Sequence, residues 1–291
     1  MARGAPLTAS WTDISLDIDD PVATITINRP ARHNSLTGRT LRELRGAFDL
    51  AERDPRVVGI VLTGAGERAF CAGVDVAMLQ GAVADGPGSG GADGDGWYGA
   101  FPGDPDMADV QRTFTWPMTI RKPVIGAVNG VCAGGGFILA MACDLRFGSH
   151  SARFDTVFSK RGIIAEEGVS WLLPRIIGPS HALDLLWSSR SVAAEEALSI
   201  GLMTRLTEPG QLHSECVAYI AELARNASPH SLMVTKRLVY RHLHQDLGSA
   251  ADEANALNAE ALRRPDAVEG AMSLMERRLP RFGRLDLGDS R

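Results

Sequence analysis

The residues of this chain best suited to chemistry begin with three consecutive glycines, Gly134, Gly135 and Gly136, set directly before an apolar stretch that starts at Phe137. Without side chains in the way, backbone N–H groups at a helix start can approach a ligand closely, and the helix dipole favours negative charge there. Such a turn can hold a phosphate, or it can stabilise the oxyanion that develops on a thioester carbonyl. Close packing of a helix on a strand also asks for glycine, so the turn alone leaves both readings open. There is no GxxxxGK[ST], and no GxGxxG follows a strand, so the common nucleotide motifs gain nothing. Cys71 and Cys132 have no local base that would make them nucleophiles, and small buried thiols fit their surroundings. Arg241-His-Leu-His244 lacks the further ligands that a metal site needs, and no metal is expected.

These residues need elements to position them. Val22 to Asn28 alternates apolar and polar positions, as a half-buried strand does. Residues 39–52 place Leu41, Leu44, Phe48 and Leu50 at roughly helical spacing, and 57–62 is a β-branched run that reads as a buried strand. Val124 to Val128 is a further strand, the glycine turn comes next, a helix begins near Phe137, and Leu145 to Gly148 is another short strand. Pro123 to Cys143 is nearly free of charge and about as long as a membrane span, yet Asn129 and its glycines suit a strand, a turn and a helix better. A helix from Ala193 ends on Gly201, and residues from about Glu215 onward are helical in pattern, broken at Ser228-Pro229 and at Pro265. Residues 81–106 have the Gly, Asp and Pro content of a flexible insertion; Trp97, Tyr98 and Phe101 within them raise the alternative of a lid.

With 291 residues, 45% of them hydrophobic and 22% charged, the chain can bury a sizeable core. A net charge of −5 argues against a general nucleic-acid binder. The four cysteines form no CxxC pair, and the first residues carry no apolar signal segment, so a reduced cytoplasmic setting is the simplest expectation. Strands alternating with helices indicate an α/β core followed by a helical C-terminal part.

Several segments, taken in order, resemble the crotonase, or enoyl-CoA hydratase/isomerase, superfamily. They are Ile27-Asn-Arg-Pro30 with His33-Asn-Ser-Leu36, Ala69-Phe-Cys-Ala-Gly-Val-Asp75, Lys122-Pro-Val-Ile125 with Asn129 to Gly136, and Cys143-Asp-Leu-Arg146. Trp171-Leu-Leu-Pro-Arg175, Ala197 to Gly201, Thr235-Lys236, Asp266 to Gly270 and Met275 to Phe282 continue the match almost end to end, with 81–106 as the exception. The resemblance implies an α/β fold: a spiral of ββα turns over residues 1–225, with two short sheets nearly perpendicular, and a C-terminal helical trimerisation region over 226–291. It implies a homotrimer or a hexamer made from two trimers, an acyl-CoA substrate, and no cofactor beyond the coenzyme A of that substrate. No membrane partner is expected.

Carried over residue by residue, the resemblance assigns an oxyanion hole to the backbone N–H groups of Val74 and Gly135, and places Ala72, Gly73 and Asp75 along the coenzyme A path. Hydratases of this family bring two glutamates to the acyl group. Those positions here are Ile138 and Phe158, which can neither accept nor deliver a proton and are left as acyl-binding positions. Glu166, in Gly162-Ile-Ile-Ala-Glu-Glu-Gly168, matches the place where some family isomerases carry a catalytic aspartate, and a family dehalogenase a nucleophilic one. The expectation is therefore double-bond isomerisation with Glu166 as proton shuttle, its pKa raised by burial beside groups such as Phe158. Glu167 is the neighbouring candidate, and both acids also suit the first turn of a helix. The alternatives are hydration with an atypical carboxylate placement, or acyl-CoA binding without catalysis. His33 could line the coenzyme A path or simply cap its loop. Arg29, Arg32, Arg277, Arg278 and Arg281 could meet phosphates, with surface charge as their default.

Overall fold

The computed structural model describes residues 11–76, 78 and 102–287. β1 (Ile14–Asp19) and β2 (Val22–Ile27) pair antiparallel, and α1 (Gly38–Arg53) comes next behind a capping box in which Thr37 and Thr40 bond reciprocally. β3 (Gly59–Gly64), β5 (Val124–Val128), β7 (Leu145–Ser149) and β10 (Arg205–Thr207) complete a six-stranded sheet in the order β1-β2-β3-β5-β7-β10, parallel from β2 onward. A second sheet holds β4 (Ala69–Cys71), β6 (Val131–Ala133), β8 (Arg153–Asp155) and β9 (Ser191–Ala193), ordered β4-β6-β8-β9.

The chain alternates between the two sheets. β3 leads into β4, β5 into β6 and β7 into β8, each through a short turn. After β6 comes α2 (Gly135–Met141), and after β8 comes α3 (Val169–Ser188), bent at Gly178 (φ 77°) before Pro179. This is a ββα spiral. Pro123 to Cys143 is thus β5, β6 and α2, almost wholly buried, and no described helix is long and apolar enough to cross a membrane. α4 (Ala194–Ser199), α5 (Leu212–Asn226), α6 (Pro229–His242), α7 (Leu247–Ala261) and α8 (Pro265–Met275) complete the order, with the breaks at Pro229 and Pro265 where the sequence places them.

Most of the apolar core forms one cluster, in which Ile25, Ile27, Leu44, Phe48, Trp116, Phe137 and Phe154 are fully buried. Charged residues of the motifs tie the elements to it. The carboxylate of Asp144 accepts from Val124 N–H at 2.7 Å, from Lys236 Nζ at 2.7 Å and from Tyr240 Oη at 2.8 Å, fixing α6 against β5. Lys122 Nζ donates to the carbonyls of Ala51 (3.1 Å) and Asp54 (2.7 Å) and so closes the end of α1; burial pulls its pKa down to about 8. Arg146 donates to the carbonyls of Leu202 and Cys143. Glu52, also buried, accepts from the backbone and guanidinium of Arg121.

Residues 81–101 of the expected insertion, with the aromatic candidates for a lid, lie outside the described residues. Its last part, 102–106, is packed rather than loose. Asp104 is buried, its N–H donates to Thr119 O at 2.8 Å, and its side chain caps the 3-10 turn Pro105–Val110. Within the stretch expected to be flexible, residues 102–106 thus belong to a part whose backbone Thr119 and the turn satisfy. Asp144→Ala is expected to lower unfolding stability by about 3 kcal/mol, since it leaves Lys236 as a mostly buried charge without its carboxylate. Denaturant unfolding checks this, and a loss below about 1 kcal/mol would show that the anchor is dispensable.

Candidate active site

β4 and β6 run parallel, and their C-terminal ends bring residues 71–75 beside 133–136. The approach is close enough to exclude side chains. A Cβ on Gly136 would stand 2.4 Å from Cys71 O and 2.7 Å from its Sγ, and one on Gly73 (φ 98°) would stand 2.9 Å from Ala133 O. Gly73 also needs its positive φ, and Gly134 turns the chain into α2 at φ 50°. The triplet thus serves packing and backbone exposure together.

Two N–H groups are left over at this corner. Leu36 N–H donates to Gly73 O and Asp75 N–H to Leu36 O, a parallel bridge that directs the intervening Val74 N–H away from Leu36. Gly135 is the first residue of α2, where an N–H has no partner within the helix. Among the described residues, neither group donates a hydrogen bond. Their proximity is shown by the space around Gly135: a Cβ there would stand 3.3 Å from Val74 Cγ2 and 3.0 Å from the ring of Phe114.

Ile138, on α2, and Phe158, after β8, are buried in the main core cluster. Ala72 is exposed, and its N–H donates to His33 O. Asp75 is an anchor: its carboxylate accepts from Ser35 Oγ at 3.0 Å and from Arg29 Nη2 at 3.3 Å. Arg29 is thereby drawn into the 29–35 loop, where Asn34, at φ 56°, also bonds Ala65 O and Ala69 O. His33 is exposed at φ 49° and caps a 3-10 turn, the plainer of its two expected roles. Arg278 is paired with Glu269 and Glu276, and Arg281 N–H donates to Glu269. Cys71, Cys132 and Cys143 are fully buried, and loss of solvation raises each thiol, Cys71 and Cys143 to about 12. They are packing residues.

The adjacent acids part company. Glu166 is exposed, whereas Glu167 is half-buried. Glu167 adopts φ 52°, a conformation uncommon for a residue with a Cβ. Its pKa is raised, chiefly by burial and further by the charge of Glu166, with polar Thr113 and the charge of Arg112 acting against the rise. Both acids precede α3 rather than filling its first turn, and Gly168 takes the N-cap.

Glu167 lines a cavity of about 520 Å³ with Val110, Met118, Trp171, Leu172 and His244 among its walls. The indole of Trp171 stacks on His244 (ring centroids 4.9 Å apart) and carries the Arg175 guanidinium 4.0 Å from its centroid, so one wall is stiff. Sequence reasoning missed His244, Thr113 and Thr115 as wall residues, because nothing in their local pattern distinguishes them. Gly135→Ala should fold, because Phe114 and Val74 are side chains that can yield, yet lose about a hundredfold in turnover as the donors shift. Gly136→Ala instead meets backbone and should lose stability first. Thermal unfolding and acyl-CoA turnover of the pair separate the two roles; equal behaviour would count against this geometry.

Comparison with known proteins fits this geometry. The family model described as enoyl-CoA hydratase/isomerase matches residues 17–284. A crotonyl-CoA hydratase from Syntrophomonas wolfei is 31% identical over 94% of this chain and 98% of its own length. An (E)-benzylidenesuccinyl-CoA hydratase from Thauera aromatica is 31% identical over 92% and 98%. The crystal structure of an enoyl-CoA hydratase from Bacillus anthracis superposes with a TM-score of 0.80 at 26% identity, covering 94% of this chain and 99% of that one. With a glycine corner that leaves two N–H groups over and a match along most of its length, this chain belongs to the enoyl-CoA hydratase/isomerase family.

Proposed function

We propose that the protein shifts the double bond of an enoyl-CoA thioester, with the N–H groups of Val74 and Gly135 holding the thioester oxygen and Glu167 moving the proton. In this reading a carboxylate removes a proton from Cα of a 3-enoyl thioester, and the electron pair passes to the carbonyl oxygen. The two N–H donors stabilise the resulting dienolate; one such donor is worth about 3 kcal/mol in comparable sites. Return of the same proton to Cγ leaves the 2-enoyl product, so no water or cofactor is consumed. The observation that carries the proposal is Glu167 on the cavity wall, set against apolar Ile138 and Phe158 where a hydratase would need two acids. A raised pKa suits a group that must both take and give a proton near neutral pH. Glu166, matched by the family pattern, remains its comparator.

Hydration is the second reading. The hydratase names of the relatives favour it, and Glu166 beside Glu167 offers a second carboxylate to hold a water. We also propose that further copies of the chain cover the C-terminal helices, in a trimer or hexamer. α7 has no buried residue, Leu247 and Leu262 at its two ends are exposed, and so are Leu274 and Met275 at the end of α8.

Glu167→Gln should fold, bind acyl-CoA and lose about a thousandfold in kcat on trans-3-hexenoyl-CoA, while Glu166→Gln stays within about fivefold. The opposite order would return the proton to Glu166, and two unimpaired variants would end the carboxylate reading. Crotonyl-CoA incubated in heavy-oxygen water decides between the reactions, because only hydration carries the label into product.

A further inference from the structure

We infer that His244 sets the length of the acyl group this site takes, as the removable part of a partition between two cavities. The inference rests on the thioester lying at the corner of Val74 and Gly135, with its acyl chain entering the cavity that Glu167 lines. That cavity adjoins the corner. Thr113 and Thr115 are on its wall, and the ring of Phe114 between them stands 3.0 Å from the position a Gly135 Cβ would occupy. Next to it lies a second cavity of about 200 Å³, bordered by Met107, Tyr240 and Gln245 among others. The two cavities share three wall residues, Asp109, Val110 and His244.

These three are held to different degrees. Val110 is fixed through its carbonyl, which accepts from Thr115 Oγ1 at 2.7 Å and from Arg112 N–H at 2.9 Å. His244 comes from the turn between α6 and α7, where its N–H donates to Arg241 O at 3.1 Å. Its ring reaches Asp109, in the 3-10 turn Pro105–Val110, with Nε2 3.6 Å from Oδ2, an ion-pair separation rather than a hydrogen bond. The indole of Trp171 stacks against the same ring and is itself held by Arg175. The side chains of His244 and Asp109 are 44% and 66% exposed, so the charge between them contributes little. The imidazole closes the partition by its bulk.

Cutting that ring back to a methyl group opens the first cavity into the second. An acyl chain that ends against the imidazole then continues past it. Met107, which is buried, and Tyr240, whose hydroxyl is spent on Asp144, offer it apolar surface there. Asp106 and Arg241 also border the second cavity, the latter already paired with Glu253. Each further CH₂ that leaves water is worth about a fourfold gain in affinity, so a series of chain lengths reports where the chain meets a wall.

The test titrates saturated acyl-CoAs, from butyryl to tetradecanoyl, by isothermal titration calorimetry; with no double bond to shift, they report binding alone. In the wild-type protein the gain per CH₂ should stop at one chain length. In His244→Ala it should continue further, and the ratio of the tetradecanoyl to the hexanoyl dissociation constant should fall about tenfold. His244→Phe keeps a flat ring without the charge, and Asp109→Asn keeps the shape of the carboxylate; both should hold the wild-type ratio within about twofold. A ratio unmoved in His244→Ala overturns the inference, as does an affinity that ignores chain length, which would put the acyl group outside this cavity. A fall of equal size in Asp109→Asn would assign the effect to charge and overturn the partition too. These results leave the double-bond shift standing wherever trans-3-hexenoyl-CoA is converted by the wild type and not by Glu167→Gln. An active Glu167→Gln, with the ratio lowered in His244→Ala, overturns the proton carrier and supports the partition.

Discussion

The close approach of two backbone segments at one corner is the constraint on which the rest of this structure depends. Residues 71–74 and 133–136 meet at distances where Gly136 has no room for a methyl group and Gly73 almost none. Because the segments continue parallel strands, their N–H groups need not be consumed by the ladder. One is turned outward by the bridge at Leu36, and the other is left over at the start of α2. A helix start and a strand end are ordinary places to find free donors. Two of them side by side, on a corner that glycine alone permits, are the donors on which the proposed function rests.

Much of what looks chemically active in the sequence serves to hold that corner in place. Lys122, Asp144, Arg146 and Lys236 are charged residues in motifs, and each is spent on backbone carbonyls, backbone N–H groups or one another inside the fold. Asp75 and Arg29 pin the loop carrying Val74 to the loop after β2. Buried thiols fill the remaining space. Burying such groups is costly unless they are paired, and here they are paired with the chain that must be fixed.

The elements with a strong pattern were legible in the sequence: β2, β3, β5, β7, α1 and α2 fall within a few residues of their expected positions. The strands of the small sheet were not, because three residues are too few to show alternation. α3 was hidden by Pro174, Gly178 and Pro179, which read as breaks although the helix tolerates them with a bend. At the site, the backbone donors could be assigned because a glycine triplet and a family pattern coincide. The choice between Glu166 and Glu167 could not be made, since one step along an irregular turn decides which acid reaches the cavity wall. That step goes with the positive φ at Glu167, which leaves no local signal in the sequence.

The proposed chemistry divides between a backbone that would receive charge and a carboxylate that would move a proton, the first more deeply built into the fold than the second. The proposed function requires that the Val74 and Gly135 N–H groups polarise a thioester carbonyl. Infrared difference spectroscopy of a bound acyl-CoA labelled with 13C at its thioester carbonyl addresses it directly. The labelled carbonyl band should move to lower frequency on binding, and back towards the free value in Gly135→Ala. A bound thioester whose carbonyl band stays at its solution frequency would contradict it.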